Sequence, residues 1–219
     1  MHSQTEENYL KAIYKIAEKS GTKVSTNAIA ERLQTKPASV TDMLKKLADK
    51  QLVDYEKYQG VVLTEKGKMI AVQIIRKHRL WEYFLVNILG FTWDSVHEIA
   101  EELEHINSTL LIDKLDAFLG YPQYDPHGDP IPNHKGEFSS RGAFTLATAN
   151  LHQELLVTGV IDHSTEFLQY LNTIGLGLGT NIVINQFINF DKSLSVVING
   201  KNGVFISHQV AKNLLVIKK

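Results

Sequence analysis

Apolar residues recur every three to four positions at the start of the chain. Tyr9, Ile13, Ile16 and Ala17 share one side of a helix over "EENYLKAIYKIAEKSG", and Gly21 follows as its stop. The next stretch, "VSTNAIAERLQTKPASVTDMLKKLADKQLV", predicts a short helix around Thr26–Leu33, a turn of a few residues, and a second helix opening near Pro37. The fixed φ of proline suits a first helical position. The period then shortens: "VDYEKYQGVVLTEKGK" reads as two short strands, Val53–Tyr58 and Val61–Thr64, joined at Gln59-Gly60. Helix, tight turn, helix and hairpin in this order predict a winged helix-turn-helix.

From Glu65 to about Leu119 the helical period returns, broken at Gly90. Apolar stripes on more than one side suit either intersubunit contacts or a monomeric helical core. Four of the five prolines fall between residues 120 and 138, which predicts a linker or an extended crossing segment. Beyond it, "HQELLVTGVI", "TNIVINQFI", "SLSVVING", "GVFIS" and "LLVIKK" are β-branched runs parted by Gly/Asn turns, with a short helix near Ser207–Asn213. Such close spacing predicts a small SH3-like barrel. "EFLQYLNTIGLGLGT" interrupts it with one helix and a glycine turn. Gly175, Gly177 and Gly179 follow a helix instead of opening one, so they read as a turn and not a nucleotide loop. The expected architecture is mainly α with small β. A DNA-binding domain spans residues 1–72, a helical metal-binding and dimerisation domain with the proline-rich linker spans 73–140, and an SH3-like, FeoA-like domain spans 141–219.

Charge changes this picture because it is segregated. Residues 1–90 carry 15 Lys/Arg against 10 Asp/Glu, residues 91–140 carry 2 against 10, and residues 141–219 carry 6 against 4; the balances of +5, −8 and +2 sum to the formal −1. A basic first third suits a polyanion, and an acidic middle suits a cation or a solvated face. The absence of cysteine excludes a disulfide framework, a zinc ribbon and thiolate catalysis, leaving nitrogen and oxygen ligands for any metal. No apolar run reaches membrane-spanning length and "MHSQTEENYL" lacks a secretory apolar region, so a soluble cytoplasmic protein is expected.

In a helix-turn-helix the N-terminal residues of the second helix face base edges. Here they are Lys36, Pro37, Ala38, Ser39, Thr41 and Asp42. Ser39 and Thr41 can donate or accept, Ala38 suits a thymine methyl, and Lys36 reaches a phosphate or guanine. Lys45 and Lys46 extend the phosphate contacts, and Lys57, Lys66 and Lys68 flank the wing. A solvated lysine face is the alternative, against which the hairpin argues.

The stretch "HEIAEELEHI", residues 97–106, places His97, Glu101, Glu104 and His105 within roughly 100° of helical arc. A solvated face explains that pattern as well as a chelating one does. "RKHRLWE" tips the balance, because His78 and Glu82 stand at i and i+4 on the preceding helix. Carboxylate and imidazole ligands without sulfur suit manganese, iron(II) or zinc. A helical di-metal carboxylate enzyme is the catalytic alternative, but it needs two Glu-x-x-His motifs and only Glu102 with His105 supplies one.

Taken together, "ENYLKAIY", "IAERLQTKPASVTDMLKKL", "YEKYQGVVLTEKGK", "RKHRLWE", "VHEIAEELEH" and "GDPIP" resemble the metal-dependent repressors of the diphtheria toxin repressor and manganese transport regulator group, over nearly the whole chain. The resemblance implies a dimeric repressor that binds two transition-metal ions. By position it implies a primary site of Asn8, Glu101, Glu104 and His105 and an ancillary site of His78, Glu82 and His97. Further ligands would come from the third domain, where His163 and Glu166 fall. Iron-sensing members have cysteine at the Glu101 position and methionine at the Asn8 position, whereas manganese sensors have carboxylates at both. Glu101 therefore favours manganese, and Asn8 matches neither pattern. The expectation is a manganese-responsive repressor, not an enzyme, that binds double-stranded operator DNA as a homodimer and controls metal uptake. It would need no membrane and no small organic substrate. An iron(II)-dependent repressor of the same family is the alternative.

Overall fold

The computed structural model describes residues 2–21 and 23–219. The described residues fall into two compact units: those within 2–78, 101–112 and 132–137 form the first, and residues 79–100, 113–131 and 138–219 the second.

In the first unit, helix α1 (Gln4–Ser20) starts at a capping box. Ser3 accepts from the Glu6 amide, and Glu6 Oε2 accepts from the Ser3 amide at 3.1 Å, so two otherwise unpaired donors are satisfied. The helix ends at Gly21, whose φ of 63° is the left-handed conformation that glycine adopts without a Cβ penalty. Helices α2 (Thr26–Arg32) and α3 (Pro37–Asp49) follow, with Ser25 capping the first and Pro37 opening the second. The face of α3 formed by Val40, Leu44 and Leu47 is fully buried beside Leu10, Ile13, Ile29 and Leu52. Each such leucine contributes about 1.5–3 kcal/mol relative to exposure. Strands β1 (Val53–Glu56) and β2 (Gly60–Leu63) pair antiparallel from Val53↔Leu63 to Glu56↔Gly60. The turn falls on residues 57–59, beginning two residues earlier than the sequence predicts and ending one earlier. This is the expected winged helix.

Glu6 has a second task. Its buried carboxylate receives Lys50 Nζ at 2.7 Å and Lys46 Nζ at 2.9 Å, which staples α1 to α3. Burial by itself would raise the Glu6 pKa, but the two lysines and the Ser3 amide outweigh it and hold it at about 2. A carboxyl depressed on folding stabilises the fold above its unfolded pKa, and that contribution drains away as pH falls from about 4.5 toward 2. Glu6→Gln is expected to cost roughly 1–2 kcal/mol at pH 7, because both lysines stay partly solvated. Urea melts at pH 7 and pH 3 check it: the gap between variant and wild type should narrow at the lower pH.

Helices α4 (Glu65–Asn87), α5 (His97–Leu103) and α6 (Thr109–Phe118) fill the middle of the chain. In the second unit, β3 (Phe144–Thr145), β4 (Glu154–Val160), β5 (Asn181–Phe187), β6 (Leu194–Ile198), β7 (Lys201–Ile206) and β8 (Leu214–Lys218) form one antiparallel sheet in the order β3-β8-β4-β5-β6-β7. Helices α7 (Thr165–Thr173) and α8 (His208–Asn213) contribute Leu168, Leu171 and Ala211 to the core that includes Leu155, Ile182, Val196 and Val216. The β-branched runs and both helices lie where the pattern predicts; the two-residue β3 is too short to show a period. Among the described residues, no helix is long and apolar enough to cross a membrane.

Candidate metal centres and nucleic-acid interface

The acidic stretch does not run on as one helix. Helix α5 ends at Leu103, and the turn that follows drops Glu104 into the interior with no solvent exposure. A helical wheel carried through His105 puts Glu104 on the wet side, and that is where the pattern misleads. Glu98 and Glu102 are exposed.

Around Glu104 the first unit assembles a ring of charges. Both Glu104 oxygens accept from Lys11 Nζ at 2.7 Å, and Oε2 lies 2.7 Å from His78 Nδ1. Lys11 also donates to Glu101 Oε1 at 3.2 Å. His105 turns its Nδ1 to Glu7 Oε2 at 2.6 Å, and its Nε2 lies 3.9 Å from Glu104 Oε1. Burial would raise the Glu104 pKa, yet His78 and Lys11 lower it below the ordinary carboxylate range. Nearby, burial lowers the Lys77 pKa even though Glu7 and Glu104 face it. Lys11 and His78 thus meet at Glu104, with Glu101 and His105 beside it; His78, which the resemblance assigns to the ancillary site, here engages Glu104. From α1, Glu7 reaches the ring, and the half-buried Asn8 follows it one position on.

A second cluster forms in the other unit. Glu82 on α4, Asp125 and His127 each offer a ligand atom within 4.8 Å of the others, and all three are buried. His97, at the start of α5, approaches Glu82 Oε1 at 3.4 Å. His127 is held on three sides. Its Nε2 lies 2.7 Å from the Trp93 carbonyl, its own carbonyl accepts from the Val160 amide at 2.9 Å, and the His163 ring stacks on it at 4.8 Å. Among the described residues its buried Nδ1 has no hydrogen-bond partner, and Glu82 Oε2 lies 3.7 Å away. Burial and the charges of Glu82 and Asp129 push Asp125 up to about 7. Burial opposes the charged imidazole of His127, but Glu82 and Asp125 prevail and raise it to about 9. Two crowded carboxylates and an unsatisfied imidazole nitrogen are a donor set that a divalent cation fits. Arg79 braces the segment through Asp129 Oδ2 at 2.8 Å and the Pro130 carbonyl, so "RKHRLWE" and "GDPIP" meet. His163 reaches this cluster by stacking, whereas Glu166 is exposed in the first turn of α7.

On α3, Lys36, Pro37, Ala38, Ser39, Asp42 and Lys45 are exposed, opposite the buried Val40, Leu44 and Leu47. The half-buried Thr41 donates its hydroxyl to the Pro37 carbonyl at 3.0 Å, and Lys45 pairs with Asp42 at 3.4 Å. Lys46 is also exposed, with its ammonium 2.9 Å from Glu6 Oε1. Lys57 sits at the wing tip, 4.9 Å from the ring centre of the exposed Tyr58.

Four residues of these clusters lie outside the sequence-based set: Glu7, Lys11, Asp125 and His127. Glu7 and Lys11 carried a signal, being an i, i+4 pair on the first helix. Asp125 and His127 sit in "DPHGD", where proline abolishes any period and only the chemistry of the side chains marks them.

Residues 1–61 match the family described as iron dependent repressor, N-terminal DNA binding domain; residues 64–133 match its metal binding and dimerisation domain, and residues 144–218 match the FeoA domain. The HTH-type transcriptional regulator MntR of Oceanobacillus iheyensis is 39% identical over 55% of this chain and 81% of its own length. The iron-dependent repressor IdeR of Mycobacterium leprae is 29% identical over 98% of this chain and 97% of its own. A solved manganese-dependent transcriptional repressor in complex with manganese superposes with a TM-score of 0.85 at 36% identity, covering 98% of this chain and all of that one. With its winged helix, its helical middle and its FeoA-type SH3-like end, the chain belongs to the iron-dependent repressor family, the metal-regulated transcriptional repressors of the diphtheria toxin repressor and manganese transport regulator group.

Proposed function

We propose that this protein is a manganese-responsive repressor that binds operator DNA as a metal-loaded homodimer and controls metal-uptake genes. The observation that carries this reading is the ring around Glu104, built from carboxylates and imidazoles in a chain without cysteine. Oxygen-rich donors suit a hard divalent ion, where iron sensing in this family draws on sulfur. Glu101, Glu104 and His105 would hold the primary ion, with Asn8 or Glu7 joining from α1. The ion supplies a compact double positive charge that several carboxylates can share.

The second centre would use Glu82 with Asp125 and His127, or with His78 and His97 as the family resemblance implies. His163 stands beside the former set, and Glu166 remains a candidate from α7. On DNA, Lys36, Pro37, Ala38, Ser39, Thr41 and Asp42 would enter the major groove, with Lys45, Lys46 and Lys57 on phosphates. Metal that prefers the DNA-competent state must raise DNA affinity, and DNA must raise metal affinity by the same factor.

Fluorescence anisotropy on operator DNA, with no metal and with manganese(II), iron(II) or zinc(II), tests the reading. Binding is expected to tighten at least ~10-fold with manganese. Equal binding without metal would overturn the sensor role, and a preference for iron(II) would overturn the choice of ion.

A further inference from the structure

The geometry points to Lys11 as an internal competitor ion that sets the threshold for metal loading at the primary centre. Its ammonium lies 2.7 Å from each oxygen of Glu104 and 3.2 Å from Glu101 Oε1, so it bridges the two carboxylates that any cation there needs. The Lys11 side chain is 9% exposed and that of Glu104 is wholly buried, which removes the solvent screening that makes surface pairs weak. Glu104 Oε2 is also engaged by His78. Of the carboxylate's roughly four acceptor positions, Lys11 and His78 occupy three.

A dication bound to the same oxygens would stand at contact distance from the ammonium. Like charges so close in a buried setting exclude one another. Metal loading is therefore an exchange: the dication enters Glu104 and Glu101, and the Lys11 ammonium leaves. Glu7, one turn back on α1, is the carboxylate left to receive the departing group. The apparent metal affinity is the intrinsic affinity reduced by the strength of the Lys11 pair. A lysine at this position also keeps a second dication out of the ring while it holds any of these oxygens.

This inference rests on the reading of the ring as a metal centre, and the test separates the two. Lys11→Met keeps the length and apolar stem and removes the charge. Manganese binding to the full chain, followed by isothermal titration and by loss of the free-ion electron paramagnetic resonance signal, is expected to tighten at least ~10-fold in Lys11→Met and to stay near wild type in Lys11→Arg. The thermal midpoint of Lys11→Met before metal is added should fall, because Glu101 and Glu104 then repel unrelieved. In the wild-type protein, titration with zinc as a diamagnetic probe should move the Lys11 ammonium proton signal from protected to fast-exchanging at one equivalent. That measurement stands even if Lys11→Met does not fold. Unchanged or weaker manganese affinity in Lys11→Met, or an ammonium signal that stays protected with zinc bound, would overturn the role of Lys11 and leave the metal centre intact. A wild-type protein that takes up neither ion would overturn both.

Discussion

Glu104→Gln is expected to abolish metal-activated DNA binding and to weaken manganese uptake by at least ~100-fold. Even the outer partners of a metal ligand are worth about 10–100-fold in affinity, so a shared carboxylate at the centre of the ring is worth more. Glutamine keeps the volume and one acceptor, which isolates the charge as the variable. The same change removes the counter-charge that both Lys11 and His78 contact at 2.7 Å. Breaking a buried pair from one side costs about 3–5 kcal/mol, which for a chain of this length lowers the melting temperature by roughly 6–20 °C. Calorimetric melts and manganese titration of the same preparation separate the two effects. A variant that binds manganese like wild type would remove Glu104 from the centre, whatever its stability.

Gly128→Ala should be the most damaging small change in the second unit. The backbone at Gly128 has φ +90°, and a Cβ there would lie 2.1 Å from the Thr158 carbonyl oxygen and 2.4 Å from the Gly159 Cα. Neither neighbour is the end of a flexible side chain, so the proline-rich segment must lift away from β4. The strained backbone and the overpacking together cost about 3 kcal/mol or more. Lifting the segment also breaks the bond between the Val160 amide and the His127 carbonyl that positions the imidazole over Glu82 and Asp125. Gly177→Ala is the control, since nothing lies within 4 Å of a Cβ there. Gly128→Ala is expected to melt roughly 6–12 °C lower and to lose one class of bound metal, with Gly177→Ala near wild type. Equal melting of the two variants would show that the close approach at Gly128 is unimportant.

Periodicity was enough to read the winged helix, because Val40, Leu44 and Leu47 bury one face and leave Lys36 to Ser39 outside. It also marks His78, Glu82, Glu101, Glu104 and His105 as ligand candidates. It failed where regular structure stops. Helix α5 ends at Leu103, so the angle assigned to Glu104 had no helix to refer to. Asp125 and His127 lie in a segment whose shape is set by contacts with Trp93 and Val160, far along the chain. Lys46 lies on an exposed helix face, but its partner Glu6 lies 40 residues earlier and no local rule pairs them.

The first turn of α1 has a mechanical consequence. Glu6 and Glu7 are neighbours in sequence and about 100° apart around the helix axis. One grips Lys46 and Lys50 of the reading helix, and the other grips His105 beside Glu104. A helix is stiff over a single turn, so the two carboxylates would move together if α1 rolled or slid. On the proposed reading, ion and operator would be joined without a flexible relay, by a crank one residue wide.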